Sequence, residues 1–224
     1  MISGYSNLEE DDKALAVSAE LAKLYPESQR VFLGQSFELR ALGRFEEADR
    51  LAADRLNRIS GDVDAMRALV WSATARGDYV KAHALGQNII DEGKAEPSDL
   101  NGIAWVSLFV GKVEPADIEN ALKATQLSKN NTAMLHTLGS VYAEVGKTKD
   151  AREVLVQSMD LLRLDEPNPD YWYAFGRIAE QLGERDAALA NYARVTKPKR
   201  AIEFPDSSYY LAQVRLRSLR SEQH

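Results

Sequence analysis

Five glycines, Gly43, Gly77, Gly111, Gly146 and Gly183, recur along the 224-residue chain at steps of 34, 34, 35 and 37 residues, with apolar helical segments between them. A period near 34 predicts stacked two-helix units, because one such pair cannot bury its apolar face without the next. The expected architecture is therefore an all-α solenoid of antiparallel helix pairs, built as one elongated domain. Its expected role is binding.

Composition supports that reading and removes other classes. Gly and Pro together number only 20 and aromatics make up 8%, and no segment shows β-branched alternation, so strands are not expected. The formal charge is −6, and Lys and Arg are scattered. The basic stripe that a nucleic-acid partner requires is missing. Without cysteine there is no disulfide, thiolate metal site or thiol nucleophile, and either redox compartment fits. No apolar run approaches the roughly 20 residues that span a bilayer. The acidic start, MISGYSNLEEDD, does not read as a signal peptide. The location stays open, with the cytoplasm favoured and an upstream signal left open if the chain is part of a longer one.

Counting each glycine as position 15 shows what the other positions do. Position 4 holds Phe32, Met66, Leu100, Leu135 and Trp172, and position 7 holds Gln35, Leu69, Ile103, Leu138 and Phe175. These, with Gln35 the exception, are read as the core stripe of each first helix. Position 8 is mostly small (Ser36, Val70, Ala104, Gly139, Gly176), and Ala48, Ala82, Ala151 and Ala188 are the small residues where second helices cross. The glycine ends the first helix at positive φ, where any Cβ is strained.

This pattern resembles the tetratricopeptide repeat family, most clearly in TAMLHTLGSVYAEVGKTKDAREVLVQSMDL, where Leu135, Leu138, Gly139, Tyr142, Gly146 and Ala151 match. The resemblance covers repeats at 29–62, 63–96, 97–131, 132–168 and 169–202. A lone second helix at about 8–25 precedes them, closed by Tyr25-Pro26 within a half repeat spanning 8–26, and a capping helix at about 206–221 follows. Later repeats lack the closing proline, the third has an extra residue near Pro115, and Asp165–Pro169 lengthens the fourth connection.

The family implies a right-handed superhelix whose first helices line a concave groove through positions 2, 5, 9 and 12. Position 9 reads Phe37, Trp71, Trp105, Ser140 and Arg177, so large aromatics recur in register over three repeats. With Arg30, Leu33, Arg40, Arg67, Asn101 and Leu108 around them, they form the candidate site. It suits a protein or peptide segment with apolar anchors and acidic flanks. The competing interpretation is that these rings only pad the seam between first helices. Further along, His136, Tyr173, Arg177 and Glu180 form a mixed polar patch that either extends the groove or stays solvated, the solvated reading being favoured. The family's two-carboxylate clamp for chaperone C-terminal tails is absent. It needs Lys and Asn at positions 5 and 9, where Leu33 and Phe37, Arg67 and Trp71, and Asn101 and Trp105 stand.

No catalysis, metal or cofactor is expected. Gly146-Lys147-Thr148 looks like the end of a phosphate loop, but Val141 stands where the first glycine should, so it reads as a repeat turn. His83, His136 and His224 are too scattered for a metal set. The alternative function is a self-associating or structural array. In that reading the first helix, with Leu15, Val17, Leu21 and Leu24, docks an upstream domain or forms a homodimer through its uncovered edge. Tyr209, Leu211, Val214, Leu216 and Leu219 mark the other end as an amphipathic cap.

Overall fold

The computed structural model describes residues 11–129, 131–198 and 206–221. Among them are twelve α-helices and no strand. The expected start of the first helix near residue 8, and the end of the fifth repeat at 199–202, lie outside the described residues. The chain divides into two compact units between Lys94 and Ala95.

The first unit contains α1 (Asp11–Leu24), α2 (Gln29–Ala41), α3 (Phe45–Arg58), α4 (Val63–Ala75) and α5 (Tyr79–Asp91). Side-chain caps start its first-position helices: the Val31 N–H donates to Ser28 Oγ and the Ala65 N–H to Asp62 Oδ1. Such caps satisfy amides that have no partner inside the helix. After α2 and α4, Gly43 and Gly77 adopt φ of 71° and 76°, so the chain reverses into the next helix within a few residues. Phe32, Ala52, Ala65 and Ala68 form the core, with Leu33, Leu51, Leu56 and Leu69 packed against it. Arg55 and Asp62, only 5% and 9% exposed, form an ion pair of 2.9 Å there, and the guanidinium covers the Phe32 ring at 4.7 Å. Asp62 thus caps α4 and neutralises a buried cation at once.

The second unit contains α6 (Pro97–Val110), α7 (Pro115–Leu127), α8 (Thr132–Glu144), α9 (Thr148–Leu162), α10 (Pro169–Gln181), α11 (Arg185–Ala193) and α12 (Ser208–Ser221). Pro97 and Pro115 occupy the first turns of α6 and α7, where a missing N–H does no harm, behind reciprocal Glu96/Asp99 and Glu114/Asp117 caps. Gly146-Lys147 forms the turn between α8 and α9, with Gly146 at φ 77°, Lys147 at the N-cap and Thr148 opening α9. Close crossings use the small residues expected: Gly139 lies against Leu155, and Gly176 against the Tyr192 ring. The core joins Leu138, Val141, Tyr173, Tyr192 and Val195 to Leu211, Leu216 and Leu219 of α12, so the last helix is an integral wall of this unit.

Candidate functional site

In the first unit, α2 and α4 are neighbours and place Phe37 and Trp71 at equivalent positions of successive first helices. Each of the two residues is 41% exposed. Beside them stands Arg40, three residues after Phe37 on α2. Its guanidinium carbon is 5.1 Å from the centroid of the Trp71 ring and 5.9 Å from that of Phe37. Both rings therefore attend one cation. The Arg40 Nε–H donates to the Ser36 carbonyl at 3.0 Å, inside its own helix, and no carboxylate among the described residues pairs with it. Loss of water around the guanidinium pulls its pKa down to about 10, which leaves it charged at neutral pH.

The rest of the candidate set within this unit is mixed. Arg30 is exposed. Arg67 pairs with Asp64 at 3.5 Å, and the same carboxylate accepts from Gln29. Leu33 packs onto the core, so it supports α2 and is not a free anchor.

The second unit treats its candidates differently. Trp105 is half-buried, in ring contact with Phe109 and His136, and its indole N–H donates to the Asp206 carbonyl at 2.7 Å. Ser208, two residues on, donates to Asp170 Oδ1 at 2.8 Å. The segment entering α12 thus lies over Trp105. Leu108, expected to face a groove, is 5% exposed and belongs to the core. Asn101 is half-buried, with its Oδ1 unpartnered.

The patch read as solvated is instead a buried network. Tyr173 and Arg177 are 2% and 5% exposed. The Arg177 guanidinium meets Glu144 at 2.7 Å and Glu180 at 2.9 Å. The Tyr173 hydroxyl donates to Glu144 and that of Tyr192 to Glu180, while Arg215 of α12 closes the set on Glu180. Burial disfavours the Arg177 charge, yet Glu144, by attraction and hydrogen bond, together with Tyr192 and Tyr173 outweighs it and raises the pKa overall. Burial likewise raises Tyr173 and Tyr192, keeping both hydroxyls protonated as donors. Four helices are tied by this network, a structural task that the alternation of polar residues along α10 does not reveal. Among the described residues no cluster of His, Cys, Asp or Glu can hold a metal ion, and no helix is long and apolar enough to cross a membrane.

Paired helices, glycine-terminated first helices and small crossing residues define a helical-repeat protein. Residues 169–197 match the model of the tetratricopeptide repeat family. No curated protein matches the chain by sequence. Among solved structures, a thermophilic TPR protein of Thermus thermophilus, TTC0263, is 20% identical, covering 86% of this chain and 98% of that one with a TM-score of 0.55. YrrB, described as a TPR protein with an unusual peptide-binding site, is 15% identical over 89% of this chain and 97% of its own, with a TM-score of 0.59. The hetero-tetramer Cut9-Hcn1 of the APC/C contains a chain with 13% identity and a TM-score of 0.67; the match covers 99% of this chain and 42% of that one. These likenesses show the fold. Residues 169–197 carry the match to the tetratricopeptide repeat model, and the chain shares the helical-repeat fold of these solved structures.

Proposed function

We propose that the protein is a non-catalytic scaffold that binds a peptide or protein segment, and that in its first unit the binding face is formed by α2 and α4. The observation that carries this reading is the pair of 41% exposed aromatics, Phe37 and Trp71, at equivalent positions on neighbouring first helices. Large rings left at water contact are unfavourable in solution and supply contact area with little entropy to lose, which is why they anchor interfaces. The fold shared with YrrB supports a peptide as the ligand class. The groove expected over three repeats contracts in this reading to the first-unit face, since Trp105 has an intramolecular partner in Asp206.

A Phe37→Ala/Trp71→Ala variant tests the reading. Neither residue is buried, so each truncation should cost well under the about 3–5 kcal/mol of a fully buried aromatic, while affinity for bound partners falls at least about tenfold. A variant that loses its fold, or keeps every partner at wild-type strength, returns both rings to packing.

Self-association is the second reading. It rests on Leu24 and Tyr25 at the end of α1, which are 71% and 60% exposed.

A further inference from the structure

Every other half-buried or buried arginine of the first unit has an acidic neighbour: Arg55 meets Asp62 at 2.9 Å, Arg76 meets Asp49 at 2.8 Å and Arg67 meets Asp64 at 3.5 Å. Even Arg44, on the surface, forms a two-pronged pair with Glu47. Arg40 departs from this rule. Its hydrogen bond goes to a neutral carbonyl of its own helix and its guanidinium lies beside two rings, and among the described residues no carboxylate forms an ion pair with it. A guanidinium carries five N–H donors, and Nε accounts for one of them. The rings flank it and reduce its hydration, a setting in which an incoming anion gains more than it would in open water.

We infer that Arg40 is the specificity-determining residue of this face, reading a carboxylate on the bound segment immediately beside the apolar residue that contacts Phe37 and Trp71. The inference rests on the binding face proposed above and adds its ligand chemistry. A carboxylate matches the planar fork of donors in two-pronged fashion, whereas a neutral amide satisfies only part of it. The surroundings agree in sign: positions 2, 5 and 12 of α2 and α4 hold Arg30, Arg67 and Arg40 against the single acid Asp64. The carboxylate has two sources, an Asp or Glu side chain or the free C-terminus of the segment.

The test is selection of binders to the full chain from random synthetic peptide libraries, one with free C-termini and one amidated, followed by affinity measurement on the enriched peptides. The expected consensus is an aromatic or branched aliphatic residue next to an acid. Enrichment in the amidated library assigns the acid to a side chain; enrichment with free termini alone assigns it to the C-terminus. Binding should weaken at least about tenfold with Arg40→Gln, or when the peptide's acid is made an amide, and should weaken with salt. Should Arg40→Gln fail to fold, the peptide-side exchange and the salt series still decide. Neutral peptides that bind wild type and Arg40→Gln equally, and lose affinity only with Phe37→Ala/Trp71→Ala, would overturn the Arg40 assignment and leave the face standing. If no enriched peptide depends on Phe37 or Trp71, or no peptide is enriched, the face itself fails, and the inference with it.

Discussion

At the scale of single residues, similar side chains at one repeat position have different fates, and the difference lies in what the rest of the chain brings to them. Trp71 and Trp105 both occupy position 9, yet Trp71 is 41% exposed while Trp105 is capped by a carbonyl 101 residues further along. Repeat spacing makes both visible as candidates. It contains nothing about Asp206, so the covering of Trp105 was not legible, and the same holds for the burial of Leu108. His136 packs against Trp105 and Tyr171. Burial lowers its pKa from an ordinary value of 6.5, outweighing the opposing effects of the Asp170 carbonyl and charge. The unfolded chain therefore takes up this proton first as pH falls. Stability from the neutral imidazole is complete above about 6.5 and is lost as pH drops from there toward the folded pKa. Urea unfolding at about pH 7.5 and about pH 5.5 should show wild type losing stability relative to His136→Gln, by up to about 1.4 kcal/mol per pH unit separating the folded and unfolded pKa values. Parallel pH profiles for the two proteins would refute this.

Helices are the scale at which the sequence was most informative. The five glycines spaced by 34 to 37 residues each follow a first helix, and all take positive φ, because the chain must reverse there and only glycine does so without strain. Crossing positions were equally readable, since close approach of two backbones excludes large side chains. The polar network around Arg177 was not: surface and buried polar residues look alike in a string, and only the facing Glu144, from another repeat, turns a wet patch into a dry one. Two glycines inside helices give a matched prediction. A Cβ at Gly176 would lie 2.5 Å from the Tyr192 ring, which is fully buried and held through its hydroxyl on Glu180. Gly176→Ala should cost about 1–2 kcal/mol, overpacking exceeding the gain in helix propensity. At Gly102 nothing lies within 4 Å of an added Cβ. There Ala should stabilise by up to about 1 kcal/mol. Chemical denaturation of both variants checks the pair, and a stabilised Gly176→Ala would show that the crossing is looser than described.

At the scale of the whole molecule, the two units use their inward chemistry differently. The second unit turns its position-9 and position-12 residues onto itself, locking α12 against α10 through Arg215 and Glu180 and covering Trp105. The first unit leaves two rings and one guanidinium without such partners, and the proposed binding face follows from that asymmetry. The three tryptophans report on it separately. Trp71 is open beside Arg40, Trp105 donates to Asp206, and Trp172 lies under Arg194 at 4.3 Å. The decisive measurement is therefore the set of three indole N–H resonances of the ¹⁵N-labelled full chain during titration with an enriched acidic peptide. The Trp71 resonance should shift in proportion to bound peptide, while those of Trp105 and Trp172 stay in place. Movement of Trp105 or Trp172 with a stationary Trp71 would contradict the assignment and transfer the binding face to the second unit.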